Sequence, residues 1–169
     1  AGTGKTTLAY KVFNNERISS YFDLRAWCTV GQEYDEKKLL DTIFNQVNGS
    51  DSRLSENIDV TADALRKQLY GKRYLIVLDD VWDTTTWDKL TRPFPEVAEA
   101  SRIILTTREM KVALHGKCNN TDPLDLRLLR PEESWELLEK RALGNKSCPV
   151  DLLDVGKEIA QNCKGLPLA

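Results

Sequence analysis

Tyr74 to Leu78 reads Tyr-Leu-Ile-Val-Leu without a polar break, and Asp79 and Asp80 follow at once. A strand that is apolar at every position has to be covered on both faces, as happens where helices pack on either side of a parallel sheet. Arg102 to Thr106 carries a second such run, Arg-Ile-Ile-Leu-Thr. Phe22 to Val30 instead alternates Phe22, Leu24, Ala26, Cys28 and Val30 against polar or bulky neighbours, the period of a half-buried strand. Between these lie helical spacings, with Leu39, Leu40, Ile43, Phe44 and Val47 in one and Ile58, Ala62, Leu65 and Leu69 in the next. Strand, helix, strand in this order predicts crossover connections. The fold class is α/β, a doubly wound parallel sheet over the first two thirds of the chain.

After about Arg130 the pattern turns helical. A short strand is expected at Asp125–Leu128, then a helix entered at Pro131 with Trp135, Leu138 and Ala142 on one face. Leu152, Val155, Ile159 and Cys163 predict a last amphipathic stripe, stopped by Gly165 and Pro167. The polar stretch Asn48 to Asn57 reads as a loop.

Composition excludes several function classes. Lys and Arg total 24 against 26 Asp and Glu, a net charge of −2, so no general attraction to nucleic acid or anionic lipid is expected. The apolar run at Tyr74–Leu78 is far too short to cross a bilayer, and no transmembrane segment is expected. Cys28, Cys118, Cys148 and Cys163 are scattered, with no second histidine beside His115 to complete a zinc site, and read as reduced thiols of an intracellular protein. His115 reads as a helix-end residue, Trp27, Trp87 and Trp135 as packing, and Glu132-Glu133 as an exposed helix start.

The chemistry sits at strand ends. Ala1-Gly2-Thr3-Gly4-Lys5-Thr6-Thr7 matches the latter part of the phosphate-binding pattern G-x-x-x-x-G-K-[ST], whose opening glycine would lie upstream of Ala1. Glycines let backbone N–H groups close on phosphate oxygens, Lys5 would neutralise the β and γ oxygens, and the Thr6 hydroxyl would ligate magnesium. Alone this motif is also what a helix start with a solvated lysine looks like. Asp79 and Asp80, at the carboxyl end of a buried strand, supply the acid that such a magnesium needs. Asp79 is assigned to the metal, and Asp80 to a water attacking the γ-phosphate as the catalytic group. Arg108, just past the end of the run at Arg102–Thr106, could reach the γ-phosphate or simply be solvated.

Gly-Lys-Thr-Thr-Leu-Ala, Phe22 to Trp27, Leu75 to Trp82, Thr106-Thr107-Arg108, Leu128-Leu129 with Glu132 to Trp135, and Gly165 to Ala169 occur in the order found in plant disease-resistance proteins. The chain resembles their nucleotide-binding (NB-ARC) region over essentially its whole length. Trp82 resembles the class whose amino-terminal domain is a coiled coil, and the overall wording is similar to the late-blight resistance subgroup of nightshade plants. The resemblance implies a P-loop NTPase-type sheet lacking the strand that precedes the phosphate loop, followed by a partial helical domain. It divides the chain at 1–129 and 130–169, both truncated. It assigns Gly2, Thr3, Gly4, Lys5, Thr6 and Thr7 to the phosphates, Thr6 and Asp79 to Mg2+, Asp80 to hydrolysis, Arg108 to γ-phosphate sensing and Pro167 to the neighbourhood of the adenine.

The function so implied is an ADP/ATP-binding switch in a cytoplasmic immune receptor for plant defence, with at most slow ATP hydrolysis. Its implied partners are the nucleotide, the receptor's own coiled coil, winged helix and leucine-rich repeats, and further copies of itself when active. A P-loop ATPase or kinase acting as an enzyme in its own right is the alternative, which would turn over at about 1 to 100 per second. Without the strand before the phosphate loop, the strands at Thr106 and Asp125–Leu128 would be left with unpaired edges. The isolated 169-residue piece is therefore expected to be poorly soluble and to bind nucleotide weakly.

Overall fold

The computed structural model describes residues 2–49, 56–95, 100–117, 121–144 and 146–168. Three strands, β1 (Leu24–Thr29), β2 (Tyr74–Val81) and β3 (Arg102–Thr107), form a parallel sheet in the order β1-β2-β3. Around and after them run α1 (Lys5–Phe13), α2 (Glu16–Ser19), α3 (Glu36–Asn48), α4 (Ile58–Leu69), α5 (Thr84–Thr91), α6 (Met110–His115), α7 (Pro131–Leu143) and α8 (Leu153–Asn162). The chain separates into two compact units, one of residues 6–123 and one of residues 124–169 together with 1–5.

In the first unit β2 is the central strand, and its side chains are buried from Tyr74 to Asp79. That burial is what its unbroken apolar run demands. Ala26, Cys28, Ile76 and Leu78 join Leu40, Ile43, Phe44 and Val47 of α3 and Leu65 and Leu69 of α4 in one core. Successive residues of a strand face opposite ways. Trp27, between Ala26 and Cys28, accordingly meets the other layer, edge-on to Tyr10 and Phe13 of α1 with ring centroids 6.0 and 5.6 Å away. Helices on both faces make this the α/β class expected from sequence. Burial pushes the Cys28 thiol up to about 11, which keeps it protonated and inert. Cys28 and Cys148 are free thiols, and Cys118 lies outside the described residues.

Helix starts follow side-chain capping. Asp35 accepts the Lys38 N–H, Asn57 the Asp59 N–H and Asp83 the Thr86 N–H, each satisfying a donor that the first turn leaves unpaired. Asp83 opens α5, a helix without a strong periodic signal because four of its eight residues are threonines. Burial of Leu90 and Thr86 overrides that weak propensity. The expected loop between α3 and α4 is visible only at its ends, since residues 50–55 lie outside the described residues. His115 is the last residue of α6, and its Nε2 lies 2.7 Å from Asp88 Oδ1. Trp87 packs where Gly116 leaves no room for a Cβ.

Ahead of β1, Asp23 accepts both the backbone N–H and the guanidinium of Arg73, ahead of β2. These bonds hold its carboxyl at about 2, below the usual 3.8. A depressed carboxylate pKa contributes stability above the unfolded value and loses it as pH falls through the folded one. The stability difference between the native chain and Asp23→Asn is therefore expected to be complete above about pH 4 and to shrink toward pH 2, as thermal unfolding across that range would show.

In the second unit, Pro131 occupies the first position of α7 and Glu133 accepts the Arg130 N–H at 2.8 Å. Glu133 also takes a two-pronged bond from Arg127, both contacts 2.7 Å, and these cations hold its carboxyl well below the usual range. It is thus less a solvated helix-start acid than the tie between α7 and the segment before it. Trp135 of α7 lies over Gly156 of α8, where an added Cβ would fall 2.4 Å from the ring. The line that α8 turns inward is accordingly Gly156 and Ala160, while Val155 and Ile159 of the expected stripe are about half exposed.

Residues 125–128 form no strand, contrary to expectation. A strand exists through its ladder, and among the described residues no fourth strand pairs with this segment. Leu129 instead donates its N–H to the Gly165 carbonyl at 2.9 Å.

Candidate functional site

In the unit of residues 6–123, three oxygen-bearing side chains, those of Thr6, Asp79 and Thr106, converge at the carboxyl ends of β2 and β3. The Thr6 hydroxyl, in the first turn of α1, donates to the Asp79 carboxylate, 2.9 Å to Oδ1 and 3.1 Å to Oδ2. The Thr106 hydroxyl donates to Asp79 Oδ1 at 2.6 Å and accepts the Asp80 N–H at 2.9 Å. Asp79 is 4% exposed, so its charge sits in the protein with two hydroxyl donors fixed on it.

Asp80 points elsewhere for a backbone reason. Leu78 pairs with Leu105 but Val81 with Thr107, so β2 spends one more residue than β3 over the same stretch. The resulting bulge puts Asp80 at φ +59°, in the left-handed region, a conformation aspartate tolerates better than most residues. β1 and its exit brace it, since Val30 donates to the Asp79 carbonyl at 2.8 Å and Gly31 to that of Asp80 at 3.2 Å. The Asp80 carboxylate then meets Arg108 Nε at 3.3 Å through Oδ1 and accepts the Trp82 indole N–H at 3.1 Å through Oδ2. The Arg108 guanidinium lies 5.0 Å from the centre of the Trp82 ring, closing the triangle.

The second unit holds the start of the glycine motif. Gly2 and Gly4 have φ of +81° and +90°, which exclude a side chain without strain. Lys5 Nζ lies 3.4 Å from Thr3 Oγ1. A Cβ on Gly4 would be 4.0 Å from Pro167, and one on Gly2 would be 3.7 Å from Leu168. The two ends of the sequence that were assigned separately, Gly2–Lys5 and Pro167, thus meet within one unit. Thr7 is exposed on α1.

The donor set suits a hard cation. Adjacent ligands of an octahedral magnesium, bound at about 2.0–2.1 Å, stand about 2.9 Å apart. The Thr6 and Asp79 oxygens already have that separation. Among the described residues no three His, Cys, Asp or Glu side chains gather as an all-protein metal cage.

Residues 1–148 match the NB-ARC domain family. The chain is 46% identical over 170 residues to the late blight resistance protein homolog R1B-14 of Solanum demissum, covering 99% of this chain and 13% of that protein. It is 46% identical to homolog R1A-3 of the same species, covering 99% of this chain and 22% of that protein, and 47% identical to R1B-16, covering 99% and 13%.

The chain belongs to the NB-ARC family. It is a nucleotide-binding domain of the kind carried by plant resistance proteins, and it spans less than a quarter of the length of these curated relatives. Among the described residues of this NB-ARC domain, no helix is long and apolar enough to cross a membrane. Sequence reasoning gave no role to Thr106 and treated Trp82 only as a mark of its class. A threonine following Ile103-Ile104-Leu105 was the available signal for the first, since a hydroxyl at the end of a buried strand needs a partner.

Proposed function

We propose that this NB-ARC domain is the ADP/ATP-binding switch of an intracellular plant immune receptor. The observation that carries the reading is the Thr6–Asp79 pair, with two hard oxygens 2.9 Å apart and a third, from Thr106, fixed on the same carboxylate. Thr6 and Asp79 would hold Mg2+, which when bound offsets charge on the β and γ phosphates. Gly2, Thr3, Gly4 and Thr7 would bring backbone N–H groups and hydroxyls to the phosphates, and Lys5 its ammonium. Asp80 would orient a water toward the γ-phosphate, Arg108 would bind that phosphate, and Pro167 would border the adenine.

Lys5 and Arg108 give such a switch its thermodynamic basis, because a nucleotide shifts an equilibrium only through contacts that differ between states. Moving a receptor from mostly closed to mostly open takes about a 10⁴-fold preference. Hydrolysis, slow and in service of resetting, would favour the ADP form. The P-loop part spans 1–129 and the helical part begins at 130 in this reading, with the receptor's coiled coil, winged helix and leucine-rich repeats as partners and self-assembly in the ATP form.

Lys5→Arg in the full-length protein is expected to weaken ADP and ATP binding at least about tenfold, because a planar guanidinium does not replace a compact ammonium between two phosphates. Retained ADP affinity in a binding titration would remove Lys5 from the phosphate site.

A further inference from the structure

We infer that Trp82 is a positioning residue that sets how Arg108 is shared between Asp80 and an incoming phosphate, an inference that rests on the nucleotide reading above. Trp82 grips both members of the ion pair by different means. Its indole N–H holds Asp80 Oδ2 at 3.1 Å, which leaves Oδ1 aimed at Arg108 Nε, 3.3 Å away. Its ring face lies under the guanidinium, 5.0 Å from centroid to Cζ. The attraction of a cation to a ring face does not depend on which anion the cation also holds. The N–H bond does favour one anion, because it orients the Asp80 carboxylate toward Arg108.

The two grips therefore act in opposite directions on phosphate binding. The ring keeps Arg108 localised and ready for either anion, while the N–H strengthens the competitor, Asp80. Asp80 has little freedom to withdraw, since its backbone is set by the bulge at φ +59° and by the Thr106 and Gly31 hydrogen bonds. Arg108 is 45% exposed and Asp80 30%, so the pair is open enough for a phosphate to compete with the carboxylate.

Trp82→Phe keeps a ring face and removes the N–H, whereas Trp82→Leu removes both. The experiment compares the ratio of Mg-ADP to Mg-ATP dissociation constants in the full-length protein for the native chain and both variants, with and without Arg108→Ala. The ratio is expected to rise with Trp82→Phe, by about threefold or more, as Asp80 loosens its hold. With Trp82→Leu it should fall below that of Trp82→Phe by about two- to fivefold, the worth of an exposed cation–ring contact. In the Arg108→Ala background neither substitution should move the ratio, which separates positioning from a general packing role. Equal ratios in all three, or shifts that persist without Arg108, would overturn the inference while leaving nucleotide binding intact. Failure of the native protein to bind either nucleotide would instead overturn the reading on which the inference rests.

Discussion

Asp79→Asn is expected to weaken Mg-ADP binding by at least about tenfold while leaving the fold in place. Asparagine has nearly the same shape and keeps an acceptor for the Thr106 hydroxyl, now 2.6 Å from Asp79 Oδ1. What it lacks is the charge. Hydrogen bonds and ligand contacts to an ionised group are worth about 1.5–3 kcal/mol, or roughly ten- to a hundredfold in affinity. The measurement is a titration with ADP in magnesium and again in excess chelator. The native protein should lose its advantage over the variant in chelator, because Asp79 would then have no cation to hold. An advantage that survives chelation would remove Asp79 from the metal site and make it a structural anchor for Thr6 and Thr106 alone.

Gly165→Ala should be among the most damaging single changes in the second unit. A Cβ there would lie 2.5 Å from the Leu129 carbonyl oxygen, 3.0 Å from Leu128 Cβ and 3.1 Å from the Leu129 nitrogen, at a φ of +75°. Two costs combine. The left-handed conformation with a Cβ costs roughly 1–2 kcal/mol, and driving Leu129 away breaks its bond to the Gly165 carbonyl, worth about 1 kcal/mol or more. A loss of about 2–4 kcal/mol in denaturant unfolding is expected once steric displacement is included. Gly49→Ala is the control, because Gly49 caps α3 at φ +69° and a Cβ there would meet nothing within 4 Å among the described residues. It should show only the conformational part, about 1 kcal/mol. Equal effects at the two glycines would mean that the contact with Leu129 contributes nothing.

The sequence by itself determined the sheet, most of the helices and the two ends of the oxygen site. Unbroken apolar runs and 3.6-residue spacings are local, so β2, β3, α3, α4 and α7 could be read from neighbouring residues alone. Thr6 and Asp79 stood out in the sequence because each is a specific residue type at a specific place, a hydroxyl after Gly-Lys and an aspartate after an apolar run, and the structure joins them through a 2.9 Å hydrogen bond. The weaker local signals failed where a neighbour in space decides. Asp125–Leu128 has strand-like residues but no partner strand, and Val155 and Ile159 have helical spacing on the face that Trp135 does not cover. The aim of Asp80 belonged to the tertiary structure entirely. It follows from one extra residue in β2 measured against β3, and a register difference between strands that lie more than twenty residues apart in the chain leaves no mark in either strand alone. That bulge turns Asp80 away from Thr6 and toward Arg108 and Trp82, while Asp79 stays buried between two hydroxyls.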